Sequence, residues 1–377
     1  MIIGFDAKRI VRNYTGLGNY SRTLVNDIAA LVADSDTKML LYSPDKGDDR
    51  LRKQVKETQS VKFVYPEGRH SRLGRDLWRI KGVVGDLRRD GVKLFHGLTG
   101  ELPMGIKKSG IKTVVTIHDL IFMRHPEYYN WLDTKIYAWK FRYTCREADR
   151  IIAISECTKR DIIEFGGVSP DKIDVIYQSC NSEFKSRESE KKLQQVHTDY
   201  MLPNRYILNV GSIEERKNVL LAVKALTLLP SDVSLVIVGR HTPYTDKVKE
   251  YVAANALGNR VKILHGVPHE DIFAIYQMAE ACVYPSRYEG FGLPIVEAIQ
   301  SGLPVVAATG SCLEEAGGND TLYVDPDDVQ GMANAIRKVL VGAPDREERI
   351  QRSQQYVKRF EGNNVAQQVL DIYKKLL

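Results

Sequence analysis

The chain has 377 residues, enough for two domains with separate cores. With 43% hydrophobic and 27% charged residues it has the composition of an ordinary globular protein. No apolar run approaches the roughly 18 residues of a membrane span; the net charge of +6 is modest, and no recognised nucleic-acid module accompanies the basic residues, which argues against a nucleic-acid binder.

Taken in order, the chain opens on a strand, Met1 to Ala7, without the charged and apolar regions of a signal peptide. A glycine turn at Gly16 and Gly18 enters a helix to about Val32, lacking the third glycine of a dinucleotide fingerprint. Residues 69–93 carry eight Arg or Lys and three Asp, interleaved with Leu77, Trp78, Ile80, Val83, Val84 and Leu87. This stretch reads either as an amphipathic helix on an anionic membrane or as a solvated helix whose apolar side is core. Leu94 to Thr99 and Thr113 to Leu120 are strand-like, with His96, His118 and Asp119 near their ends. Each histidine is either structural or cleft-facing. Another strand, Ile173 to Tyr177, closes the first series, and the polar residues 183–203 read as a linker.

A second series starts at the strand Tyr206 to Gly211, followed by Arg216, Lys217 and an apolar helix from Val219. Such a basic pair before a helix suits a diphosphate, though a solvated pair beside Glu214 and Glu215 is the plainer reading. Ala281 to Pro285 is a strand leading into Glu289-Gly290-Phe291-Gly292-Leu293-Pro294, with Glu297 in the helix that follows. Glycines permit a close backbone approach, proline suits a first helical turn, and carboxylates accept from sugar or ribose hydroxyls. This lies where an open α/β sheet binds its ligand, at the C-terminal end of a buried strand. Gly302 to Ala308 reads as the next strand, and the last helix falls in residues 361–377. The five cysteines show no metal-ligand spacing, which fits reduced thiols and a cytoplasmic protein.

The paired Glu289 and Glu297, the enclosed Gly-Phe-Gly-Leu-Pro and the Gly302-Leu-Pro-Val-Val run resemble the signature of retaining, nucleotide-sugar-dependent glycosyltransferases of family four. The resemblance implies the GT-B fold: α/β, two Rossmann-like domains facing across a cleft, with parallel sheets flanked by helices. It implies an acceptor domain over 1–182, a nucleotide-sugar domain over 204–360, and a C-terminal helix that crosses back to the first. By the same resemblance Glu289, Gly290, Phe291, Gly292 and Leu293 contact the donor sugar and Glu297 the ribose. Arg216 and Lys217 hold the diphosphate, and Gly16 and Gly18 lie near the donor phosphates. His118, Glu289 and Lys217 are the catalytic candidates; His96, His118 and Asp119 are those on the acceptor side.

Many relatives carry arginine directly after the first glycine, where this chain has Ser212, which leaves the role of Arg216 less secure than that of Lys217. The resemblance implies transfer without metal or cofactor, from a nucleotide-diphosphate sugar to a glycan or lipid-linked glycan, at the inner face of the cytoplasmic membrane. The version of the motif here is nearest to polysaccharide mannosyltransferases, favouring GDP-mannose over a UDP-sugar. A glycan phosphorylase, a nucleotide-sugar epimerase and a non-catalytic membrane scaffold with a donor pocket remain as alternatives.

Overall fold

The structure, a computed structural model, describes residues 1–68 and 71–377 and divides into two compact units. The first comprises Met1–Ser179 and Phe360–Leu377, the second Cys180–Arg359.

In the first unit, β1 (Ile2–Asp6), β2 (Lys38–Tyr42), β3 (Val61–Val64), β4 (Leu94–Gly97), β5 (Lys112–Ile117), β6 (Arg150–Ala153) and β7 (Ile173–Val175) form one parallel sheet. Their order is β3-β2-β1-β4-β5-β6-β7. Alternate side chains serve opposite faces: Leu94 and Val114 enter one apolar cluster, while Phe95 and Val115 enter the other. A parallel sheet covered on both sides needs such continuous apolar strands.

The helix Gly16–Leu31 packs on one face beside the last helix, Gly362–Leu376, which offers Val365, Ala366, Val369, Leu370 and Tyr373. That spacing of one, four, five and eight puts all five on one helical side. The C-terminal helix is thus a structural part of the first unit's core.

In the second unit, β8 (Tyr206–Val210), β9 (Ser234–Val238), β10 (Val261–Leu264), β11 (Ala281–Tyr284), β12 (Val305–Ala308) and β13 (Leu322–Val324) form a parallel sheet in the order β10-β9-β8-β11-β12-β13. Each unit therefore has a Rossmann-like order, reversing between β1 and β4 in one and between β8 and β11 in the other.

Residues 183–203 are more than a linker. They belong to the second unit and hold the helix Glu190–Asp199, capped by Ser189 and with Val196 buried. Lys192 and Tyr200 both bond Asp271.

The described part of the stretch 69–93 is a helical run, Arg72 to Arg89, with a π-helical segment inside it. Arg69 and His70 lie outside the described residues; the rest is an α-helix Arg72–Leu77, a π-turn Trp78–Gly82 and an α-helix Val83–Arg89. The π-turn turns Trp78 inward, where Val83 and Leu87 are also buried, and leaves Leu73, Leu77 and Ile80 outside. Among the described residues no helix is long and apolar enough to cross a membrane, and the cysteines form no disulfide.

Candidate active site

The basic pair and the acidic loop arise from the two strands at which the second sheet reverses its order. After β8, a short 3-10 turn, Glu215–Lys217, ends at Asn218, whose left-handed backbone (φ 53°) starts the helix Val219–Leu226. Asparagine tolerates that conformation better than most residues, and its Nδ2 donates to the Pro326 carbonyl at 2.7 Å. After β11, the loop to Gly292 starts the helix Leu293–Gln300. Gly292 has φ 108°, and a Cβ there would meet Leu313 at 2.9 Å, so glycine is required twice over. The two loops are tied where the Arg287 N–H donates to the Arg216 carbonyl at 2.9 Å.

Glu289 Oε1 is the hub. Lys217 Nζ lies 2.7 Å away and Arg216 Nη1 3.1 Å away. The Ser286 hydroxyl donates to the same oxygen at 2.7 Å and the Tyr284 hydroxyl at 3.1 Å. Tyr284 in turn accepts from Lys217 Nζ at 2.8 Å. Burial pushes this carboxyl's pKa up, but Lys217 and Arg216 outweigh it and hold the group at about 2. Glu289 is therefore ionised at neutral pH and no proton donor. The Cys312 thiol sits 3.0 Å from the Glu289 carbonyl, fixing the loop from behind.

Glu297 has the opposite character. Its Oε2 accepts from the Tyr276 hydroxyl at 3.0 Å, and burial raises its pKa to about 7, with Tyr276 and Lys217 opposing. One ammonium thus acts on both carboxyls, holding Glu289 ionised and only moderating Glu297. Gly290 and Phe291 are buried on the loop between them, and Leu293 is partly exposed at the helix start.

In the first unit the candidates divide. Gly18 packs so tightly that a Cβ would stand 1.9 Å from the Asn13 carbonyl oxygen, whereas Gly16 faces open space. Asn13 Oδ1 accepts from the N–H groups of Thr15 and Gly18, so this helix start already has a side-chain cap.

His118 is buried beneath the edge of Tyr20, ring centroids 4.7 Å apart. Its Nε2 is 2.9 Å from the Leu98 carbonyl, which can only accept, so the proton sits on Nε2. Nδ1 then accepts from Gln178 Nε2 at 2.9 Å. Burial lowers the pKa to about 4, and the ring is neutral with both nitrogens engaged. Asp119 is partly exposed next to it and accepts from the Ile121 N–H.

His96 does not face outward. It is wholly buried, with Nδ1 2.5 Å from the Tyr373 hydroxyl and Nε2 2.8 Å from Thr116 Oγ1. It fastens the C-terminal helix to the sheet, because β4 directs it inward at a position the periodicity of a single strand leaves open.

The structure adds Tyr276, Tyr284, Ser286 and Cys312 to the expected residues. Tyr284 and Ser286 stand at a strand end two apart, a pattern legible in sequence; Tyr276 and Cys312 come from distant segments and leave no local signal. Among the described residues, no three His, Cys, Asp or Glu side chains gather into a group that could hold a metal ion.

Two family profiles match the chain. Glycosyltransferase Family 4 takes residues 16–184, and Glycosyl transferases group 1 takes residues 195–356. The O-antigen chain mannosyltransferase B of Escherichia coli is 26% identical over 399 residues, covering 100% of both chains. The O-antigen chain mannosyltransferase RfbU of Salmonella typhimurium is 28% identical over 255 residues, 68% of this chain and 67% of its own. A solved structure of Anabaena Alr3699/HepE in complex with UDP and glucose superposes with a TM-score of 0.77 at 19% identity, covering 100% of both.

Proposed function

The chain belongs to the GT-B glycosyltransferases, family 4 in its first unit and group 1 in its second, and we propose that it is a retaining mannosyltransferase using GDP-mannose. The acceptor is a hydroxyl of a glycan or lipid-linked glycan in polysaccharide assembly. The full-length likeness to an O-antigen chain mannosyltransferase supports mannose as the sugar.

The observation that carries the reading is the pair Arg216 and Lys217 meeting one buried carboxylate at the reversal point of the second sheet. Arg216 also lies 3.8 Å from Glu214, which Arg240 meets in turn, so three cations face two carboxylates and positive charge is left for a diphosphate. In this reading the pair neutralises the departing nucleoside diphosphate. Glu297 accepts from the ribose hydroxyls. Glu289, with Gly290, Phe291, Gly292 and Leu293, orients the hexose. Gly16 serves the phosphates and Asp119 the acceptor, while Gly18, its N–H taken up by Asn13 and Thr15, shapes the turn. His118 positions rather than exchanges protons, since both its nitrogens are bonded. The C1–O bond to the diphosphate breaks as the bond to the acceptor oxygen forms on the same face. The acceptor's hydroxyl proton passes to the departing diphosphate oxygen.

Thermal denaturation with GDP, UDP and ADP, each with and without its sugars, tests the donor. A ligand that binds the folded state raises the melting temperature. GDP and GDP-mannose should do so; a shift confined to uridine or adenosine nucleotides would overturn the choice of base.

We further propose that residues 69–93 meet an anionic membrane surface, placing the protein peripherally on the inner face of the membrane. Exposed Arg72, Lys81 and Arg88 would carry that contact, whereas Arg79 is held by Asp6 and Glu101. Replacing the three by glutamine should reduce sedimentation with phosphatidylglycerol vesicles; unchanged sedimentation would dismiss this contact.

A further inference from the structure

The carboxamide of Gln178 is satisfied at one end only. Gln178 stands three residues after β7 and is 6% exposed. Its Nε2 lies 2.9 Å from His118 Nδ1, and among the described residues nothing donates to its Oε1. That oxygen is not sealed from solvent. Side-chain polar atoms drawn into a protein interior are normally paired. A glutamine kept only to brace His118 would have both ends of its amide engaged.

Hydrogen-bond directions fix which end of the amide faces the ring. The Leu98 carbonyl can only accept, so His118 carries its proton on Nε2. Burial, helped by the charge of Arg9, lowers the pKa of His118 to about 4, so at neutral pH Nδ1 is a bare lone pair. Turning the amide over would set Oε1 against that lone pair, two acceptors face to face. The amide therefore gives an N–H to Nδ1 and keeps Oε1 for another partner.

The support behind the amide is itself held. The edge of Tyr20 packs on the His118 ring, and the Tyr20 hydroxyl lies 3.0 Å from Thr116 Oγ1. The His118 carbonyl accepts from the Thr158 hydroxyl at 3.4 Å. Leu98, His118 and Gln178 follow β4, β5 and β7, so the relay lies at the C-terminal ends of the strands, where an open α/β sheet takes its ligand. An amide oxygen accepts from a hydroxyl and gains nothing from an anion. Its natural partner is a sugar hydroxyl rather than a phosphate or a carboxylate.

We propose, on the transferase reading above, that Gln178 touches substrate, its Oε1 accepting from a sugar hydroxyl, and that His118 acts through it as a positioning residue. The hydroxyl belongs either to the hexose of the donor or to the acceptor glycan, and binding measurements separate the two.

Gln178→Met keeps the bulk of the side chain and removes the oxygen; Gln178→Leu does so with a different shape. If the donor hexose is the partner, calorimetric titration of the full chain should show GDP-mannose bound about tenfold more weakly in both variants, with GDP bound as in wild type. If the acceptor is the partner, GDP-mannose affinity should hold, and binding of α-mannobiose, followed by saturation-transfer NMR, should weaken by the same factor. His118→Phe should reproduce whichever loss is seen, and combining it with Gln178→Met should add little, because a single contact is lost once. Wild-type affinity for both GDP-mannose and α-mannobiose in either folded variant would overturn the proposal, and so would additive losses in the double variant. The mannobiose arm needs no nucleotide. A chain that binds neither GDP nor UDP would sink the transferase reading, and Gln178 would still be decided by that arm.

Discussion

Lys217 Nζ stands 2.7 Å from Glu289 Oε1, joining the loop after β8 to the loop after β11. That pairing explains how a buried carboxyl can stay ionised: Lys217, with Arg216, supplies more stabilisation than burial removes. It also holds the ammonium where its charge acts on Glu297.

Lys217→Ala should therefore do two things. It removes a cation from the proposed diphosphate site, and it leaves Glu289 with Arg216 as its remaining paired cation. Calorimetric titration should show GDP affinity reduced about tenfold or more, and kcat/KM should fall by about a hundredfold. Lys217→Arg should recover part of the nucleotide affinity. Wild-type affinity in the alanine variant would remove Lys217 from the site.

The two glutamates should influence stability in opposite directions with pH. The folded-state pKa of Glu297 is raised to about 7, above an unfolded value of about 4.3. Its contribution is fully present below the unfolded value and is lost as pH rises toward 7. Glu289, held at about 2, contributes above its unfolded value and loses that contribution as pH falls toward 2. Melting curves from acid to neutral pH should show Glu297→Gln flattening the neutral side alone. Donor affinity should also rise with pH across about 7, as Glu297 becomes the better acceptor for hydroxyls, and Glu297→Gln should abolish that rise.

Tyr373→Phe should loosen the C-terminal helix. It strips His96 Nδ1 of its partner in a fully buried position, a loss of about 1–3 kcal/mol. Urea denaturation should shift accordingly, while the KM for donor stays near wild type. A large change in KM with unaltered stability would give His96 a role in the site after all.

The glycines of the first turn should separate. Gly18→Ala sets a methyl 1.9 Å from the Asn13 carbonyl oxygen and should destabilise by about 1–3 kcal/mol. Gly16→Ala meets nothing within 4 Å and should melt as wild type. Any kinetic effect of Gly16→Ala therefore reports on substrate rather than folding.

The sequence by itself carried the fold class, because alternating apolar strands and helical periods are local patterns, and a parallel sheet buried on both faces writes them plainly. It also carried Glu289, Glu297 and Lys217 as candidates, since a glycine turn, a helix-starting proline and charged residues at strand ends lie together in the chain. What only the tertiary structure decided depends on strand order and on packing between distant segments. Periodicity puts His96 near a strand end but is silent on which face the neighbouring helices close, and Tyr373, 277 positions away, closes it. The basic stretch 69–93 reads either as an amphipathic helix on a membrane or as a helix whose apolar side is core; the helical run carries a π-helical segment at Trp78–Gly82 and buries Trp78, Val83 and Leu87, a packing that periodicity alone does not show. The opposite pKa shifts of Glu289 and Glu297 were equally out of reach. Two like side chains eight residues apart differ because cations converge on one carboxylate, whereas burial dominates at the other, and convergence and burial are properties of the folded chain alone.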